Sequence, residues 1–240
     1  MLFPHQITSQ VVDCAEWADR LIRSELIAGI IANENDYTSN FVGALRREIN
    51  SRNVPDLHAM SFVLKAGAER RVGSDAAIIL ANTREFKICL FEAKWPRLST
   101  HVNSWDSVQQ SSNQSHFHDQ LIRQSRVAGT FAIWEMFYTE HPFNSNVAQF
   151  PHFGSACVWH SDAYKASHAR KNIQLPWTDA ELKQLLQNHR IAVGNVMQEV
   201  CECRSGKPYP GNDFIRPFID YGVPEEALLI QYDGPLPGQP

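Results

Sequence analysis

Asp75, Glu92 and Lys94 are the residues whose types and spacing could do chemistry, because a β-hairpin would bring them together. The segments Ser74 to Ala81 and Phe86 to Lys94 are rich in strand formers and flank the polar turn Asn82-Thr83-Arg84-Glu85. A symmetric turn pairs Ala81 with Phe86, and counting back along both arms sets Asp75 opposite Glu92. Side chains alternate along a strand, so Phe86, Ile88, Leu90, Glu92 and Lys94 share one face, with the last two roughly 6 to 7 Å apart. Two acids and a lysine then converge at one end of an apolar stripe.

Opposed carboxylates about 5 Å apart repel by about 3 kcal/mol at an effective dielectric near 20, and something must neutralise them. A hard divalent cation suits: Mg²⁺ takes oxygen ligands, is commonly held by one or two carboxylates, and completes its shell with waters and substrate phosphates. Lys94 would then stabilise charge building on a phosphate or hold the attacking water. The plainer alternative is a hairpin with a surface Glu92/Lys94 ion pair, worth roughly 0 to 1 kcal/mol.

Gly73-Ser74-Asp75 followed by Glu92-Ala93-Lys94 resembles the PD-(D/E)xK nuclease superfamily, whose restriction-endonuclease-like core carries an aspartate on one strand and E-x-K on the next. The resemblance covers about Glu34 to Gln124, roughly half the chain; the proline of the family's name is absent before Asp75. It implies a metal-dependent nuclease that hydrolyses phosphodiester bonds, in DNA more than in RNA. Asp75 and Glu92 would hold Mg²⁺ or Mn²⁺, with the main-chain carbonyl of Ala93 as a further ligand. Members often add an acid on a helix before the sheet, a place filled here by Glu34, with Asp36 the weaker alternative. Some place a glutamine on the helix after the lysine strand, where Gln120 and Gln124 stand. The rival reading is a nuclease-like module that binds nucleic acid or a protein partner without cutting. Cutting both strands often uses two sites, so a homodimer or an activating protein partner is compatible with the role.

The elements that must position these residues can be read independently. Tyr37, Phe41, Val42, Leu45 and Ile49 recur at helical spacing over Glu34 to Asn50, so that helix packs an apolar face on the sheet. Glu34 stands at its start, as a ligand or water-orienting group or as a simple capping residue favoured by the helix dipole. Another helix runs from about Ser9 to Ala32. Strands are expected at Met60 to Ala66, Ser74 to Ala81, Phe86 to Lys94, Thr130 to Tyr138 and Ala156 to His160. The polar stretch Ser99 to Ser115 is either a mobile loop that covers substrate or an ordinary solvent loop. Phe117 to Ala128 reads as a helix with Gln120 and Gln124 one turn apart. Thr178-Asp179-Ala180-Glu181 is a capping box ahead of Leu182, Leu185 and Leu186, and a last helix spans about Ile191 to Cys201.

The expected fold is α/β: a mixed central sheet flanked by helices, with a restriction-endonuclease-like core and a C-terminal helical elaboration. Residues 1–170 would form the core with its N-terminal helices, 171–233 the elaboration and 234–240 a disordered tail rich in proline and glycine.

A chain of 240 residues with 43% hydrophobic content can bury a substantial core. Its net charge of −4 excludes a generic basic coat protein but not a nuclease, since phosphate binding needs only a local basic surface. Arg46, Arg47 and Arg52, then Arg70 and Arg71, Arg97, and Arg123 with Arg126 are the local candidates. Trp105, Trp134, Trp159 and Trp177 either stack on bases or belong to the core. Five cysteines, one in an expected buried strand, point to a reduced interior, and Cys201-Glu202-Cys203 lacks the partners of a zinc site. Asp13, Glu16 and Asp19 break any signal-peptide core, and the apolar run Leu26 to Ala32 is far short of the roughly 20 residues that span a membrane. A cytoplasmic protein without membrane contact is expected.

Overall fold

Seven strands form one mixed sheet in the computed structural model, which describes residues 1–63, 73–96, 101–139, 154–218 and 226–236. In chain order the strands are β1 (Leu57–Val63), β2 (Ala76–Asn82), β3 (Glu85–Lys94), β4 (Val108–Gln109), β5 (Gln114–Ser115), β6 (Ala132–Phe137), β7 (Ala156–Trp159), β8 (Tyr209–Pro210) and β9 (Glu226–Tyr232). The sheet runs β1-β9-β2-β3-β6-β7, with β8 on the start of β3, while β4 and β5 pair separately. β2 is antiparallel to β3 and parallel to β9; β3 is parallel to β6. Six helices flank the sheet among the described residues: α1 (His5–Ile27), α2 (Glu34–Ser51), α3 (His116–Ser125), α4 (His160–His168), α5 (Asp179–His189) and α6 (Val193–Cys201).

The central hairpin takes the expected register, Ala81 against Phe86 and Ala76 against Phe91. Asn82 closes the turn: its Oδ1 accepts from the amides of Arg84 (2.8 Å) and Glu85 (2.9 Å), a side chain standing in for a backbone turn. Every residue of β2 is buried, as expected of a strand covered on both faces. One layer packs α1, α2 and α6 against Ile78, Phe91, Trp134 and Leu228. Phe41 of α2 meets Phe91 edge-on at 5.7 Å, and truncating such a buried ring costs about 3–5 kcal/mol. The other layer sets Phe117 and Leu121 of α3 and the leucines of α5 against Phe137 and Val158.

Polar anchors fix how these layers end. Buried Asp19 of α1 accepts from Ser155 N (2.6 Å), Ser155 Oγ (2.5 Å) and Tyr37 Oη (2.9 Å), tying α2 to the start of β7. Lys87 reaches through the core, and its ammonium donates to the carbonyls of Val200 (3.2 Å) and Ser205 (2.6 Å) at the end of α6. The capping box is formed, with Thr178 and Glu181 bonded reciprocally at the start of α5.

Five features differ from the sequence reading. Residues 226–232 form a strand between β1 and β2 rather than part of a helical elaboration; the four-residue apolar run Ala227 to Ile230 is too short for periodicity to separate strand from helix. Helix α4 begins at His160, where a strand was expected to end, and has no side-chain cap to announce it. α1 ends at Ile27, and Gly29 follows in the left-handed region (φ 75°) where a side chain is disfavoured. Residues 101–115, expected as a loop, are held by buried Asp106, which accepts from Ser115 Oγ (2.6 Å), Phe117 N (2.9 Å) and Trp177 N (2.8 Å). Leu236 of the expected tail is buried against the core. The end of the expected strand at 64–66, Arg70, Arg71, Arg97, Ser99, Thr100 and residues 237–240 lie outside the described residues. No helix among the described residues is long and apolar enough to cross a membrane.

Candidate active site

The start of β2, the ends of β3 and β6 and the first turn of α2 all lie at one end of the sheet. Asp75 immediately precedes β2, where the paired register ends at Ala76 against Phe91, and its amide donates to Phe91 O (3.0 Å), which holds it at the mouth of the hairpin beside the end of β3. Gly73 makes the entry possible: its φ is 72°, and a Cβ there would stand 3.3 Å from the Arg123 guanidinium. Asp75 Oδ2 accepts from the Ala93 amide at 2.8 Å, so Ala93 meets the site through its N–H.

Glu92 and Lys94 are not a surface pair. Their side chains are 5% and 7% exposed, and Lys94 Nζ donates to Glu92 Oε1 at 2.7 Å. Gln120 of α3 donates its Nε2 to the same oxygen in a short contact. Glu34 does not cap its own helix; Asn33 does, accepting from Asp36 N at 2.9 Å. Glu34 Oε1 instead accepts from Trp95 N (2.9 Å), which bolts the start of α2 to the residue after Lys94. Asp36 stays local, accepting from Ala32 N at 3.3 Å. Gln124 positions rather than joins: Nε2 donates to Gly73 O (2.7 Å), two residues before Asp75, and Oε1 pairs with His160 Nδ1 (2.9 Å).

Charge is concentrated here. Burial pushes the Asp75 carboxyl well above its usual range, and the Glu92 charge adds to that, against the pull of Lys94 and the Ala93 amide. Burial alone would lower the Lys94 ammonium, but the charges of Glu92, Glu34 and Asp75 outweigh it and hold it above its ordinary value. Lys94 is therefore a cation at any ordinary pH and acts as one.

The sequence reading brought Asp75, Glu92, Lys94, Glu34 and Gln120 to the site, and the structure gathers all five at this end of the sheet. It missed Glu135 and His160. Glu135 is the register partner of Glu92 on β6, fully buried, with both oxygens unpartnered. Burial, then the Glu92 charge, holds its carboxyl well above the usual range. The signal was a single acid inside an otherwise apolar strand, which needs a reason to be buried. His160 Nδ1 is 3.9 Å from Glu135 Oε1, but burial pushes the imidazole down to about 4, so His160 faces Glu135 as a neutral ring near neutrality.

Of the four tryptophans considered as base platforms, Trp134 and Trp177 are buried, Trp105 packs on Phe117, Phe137 and Trp177, and Trp159 meets Trp134 edge-on. They belong to the core. Trp95, not singled out, lines a cavity of about 420 Å³ with Asn33, Glu34 and Asn35.

Among the described residues, no three His, Cys, Asp or Glu side chains are gathered into a ready metal cage. Each acid gives one oxygen to a separate donor: Asp75 to Ala93, Glu34 to Trp95, Glu92 to Lys94 and Gln120. The second oxygens of Asp75, Glu92 and Glu34 have no hydrogen-bond partner among the described residues, which fits an oxygen-ligated cation better than it fits a closed hydrogen-bond network. No family model, curated protein or solved structure matches the chain.

Proposed function

We propose that the chain is a metal-dependent nuclease with a restriction-endonuclease-like core of the PD-(D/E)xK type, hydrolysing phosphodiester bonds in DNA rather than RNA. The observation that carries this reading is the Asp75 carboxylate held at 2.8 Å on the amide of Ala93, which lies between Glu92 and Lys94 in the chain, with Lys94 buried on Glu92 at 2.7 Å. The preference for DNA rests on the resemblance of the motif. Asp75 and Glu92 would hold Mg²⁺ or Mn²⁺ through their free oxygens, with the Ala93 carbonyl beside them and Glu34 joining the same ion or orienting its water. Such a cation lowers the pKa of a bound water and withdraws charge from a phosphate. The protein's own residues do the rest. The Lys94 ammonium, pre-oriented by Glu92, faces the charge that develops on the phosphate oxygens or aligns the attacking water; its burial makes that charge count for more than it would in solvent. Gln120 fixes the rotamer of Glu92, and Gln124 fixes the backbone that delivers Asp75.

One observation favours a second reading. Lys94, Gln120 and the Ala93 amide already satisfy one oxygen of each acid, as expected of a module that binds nucleic acid or a protein partner without cutting. The test is incubation of the purified protein with linear and circular duplex DNA, single-stranded DNA and RNA, in Mg²⁺, Mn²⁺ or chelator, alongside Asp75→Asn and Lys94→Ala checked for folding by circular dichroism. Cleavage that needs the metal and disappears in both variants supports the nuclease. Full activity retained in both variants sinks the site assignment, and binding without cleavage under every condition favours the second reading.

A further inference from the structure

Glu135 is 0% exposed, and neither of its carboxylate oxygens has a hydrogen-bond partner. It stands beside Glu92 in the parallel register of β3 and β6. Register partners on neighbouring strands project to the same face from backbones about 4.8 Å apart. Gln120 closes the group from above: 6% exposed, it donates Nε2 to Glu92 Oε1 and leaves its own Oε1 buried and unpartnered. Nearby donors have partners elsewhere, and Gln124 draws the Glu135 carboxyl down without completing a hydrogen bond to it. Lys94 Nζ is on Glu92 Oε1, Gln124 Nε2 is on Gly73 O, and His160 Nδ1 is on Gln124 Oε1, 3.9 Å from Glu135.

Three acceptor oxygens without a donor, two from Glu135 and one from Gln120, thus flank a carboxylate in a dry environment. Hydrogen bonding within the protein leaves these oxygens unsatisfied, and buried acceptors without partners are costly. An oxygen-only, negatively charged group is what a hard divalent cation takes. We propose that Glu135, Gln120 Oε1 and Glu92 form a second divalent-cation site that shares Glu92 with the Asp75/Glu92 site. The inference rests on the nuclease reading for the first site only. Glu92 would be common to both sites, and a pair of ions held in that way would stabilise both the attacking and the leaving oxygen of a displacement at phosphorus. Glu135 supplies the second ion's charge partner from β6, and Gln120 becomes a ligand through one end of its amide while steering Glu92 with the other.

The test is titration of the full chain with Mn²⁺, followed by calorimetry for stoichiometry and by electron paramagnetic resonance for coupling between bound ions. The wild type should take up two Mn²⁺ per chain, with an exchange-coupled spectrum appearing at the second equivalent. Glu135→Gln and Gln120→Leu should each bind one, with an uncoupled spectrum, and should melt cooperatively in chelator. If Glu135→Gln does not fold, the wild-type stoichiometry and Gln120→Leu decide. One ion in the wild type, lost in Asp75→Asn, overturns the second site and leaves the nuclease reading standing. Two ions retained in both Glu135→Gln and Gln120→Leu also overturns it, whereas no Mn²⁺ uptake by the wild type overturns both.

Discussion

Asp75 Oδ2 and the Ala93 amide are joined at 2.8 Å across the hairpin, so the carboxylate is aimed by the backbone of the strand that also carries Glu92 and Lys94. Asparagine can accept the same hydrogen bond without the charge that burial and Glu92 disfavour. In chelator at neutral pH, Asp75→Asn should therefore melt higher than the wild type, by roughly 2–4 °C for about 1 kcal/mol in a chain of this size. A raised carboxyl pKa stabilises the fold below the unfolded value and loses that contribution as pH rises through the folded one, so the gain should vanish on acidification. Cleavage should fall by more than about 100-fold, the upper cost of losing an outer-shell partner of a metal ligand. A variant that melts below the wild type in chelator would show that the ionised Asp75 is a net stabiliser.

Lys94 and Glu92 form a buried pair, and breaking such a pair by removing one partner strands the other charge. Lys94→Ala should cost about 3–5 kcal/mol in chelator, read by urea denaturation. Divalent cation should recover more stability in this variant than in the wild type, because it replaces the lost positive charge beside Glu92, Asp75 and Glu34. Equal stability of the two proteins in chelator would refute the burial argument.

The hairpin was legible because turn symmetry fixes its register and a period of two fixes the face, so Ala81 against Phe86 through to Ala76 against Phe91 needed no tertiary information. α2 was legible for a similar local reason, with Tyr37, Phe41 and Leu45 at helical spacing and all buried. What escaped is long-range. Nothing near Leu228 says that it will lie between β1 and β2, and nothing near Glu135 says that Glu92, 43 positions earlier, will be its register partner. Asp106 could have been suspected as an acid beside Trp105, but its three donors come from Ser115, Phe117 and Trp177, which only the fold brings to it.

Asp106 ties the segment before α3 to the start of α5 and, through Phe117, sets the helix that carries Gln120. Asp106→Ala leaves two backbone amides and a hydroxyl without an acceptor, at about 1–3 kcal/mol for each group that stays dry. The expected result is a loss of about 3 kcal/mol or more and faster hydrogen exchange at the Phe117 and Trp177 amides. Unchanged protection at both amides would mean that the segment is held by other contacts.

His160 gives the fold a pH dependence whose sign is set by burial. Its imidazole is pushed from 6.5 down to about 4, so the unfolded chain binds a proton there before the folded chain does. The stability His160 contributes is fully present above pH 6.5 and is lost as pH falls towards about 4, amounting to about 3 kcal/mol across that window. Asp19, Asp75 and Glu135, whose carboxyls burial holds above their usual range, act with the opposite sign. The His160 part is therefore read as a difference: His160→Gln keeps a donor for Gln124 Oε1 but cannot titrate. Urea denaturation of both proteins at a series of pH values between 7.5 and 4 should show the wild type losing about 3 kcal/mol more than the variant. Parallel curves would mean that His160 is already protonated in the fold, and that Glu135 faces it as a charged partner.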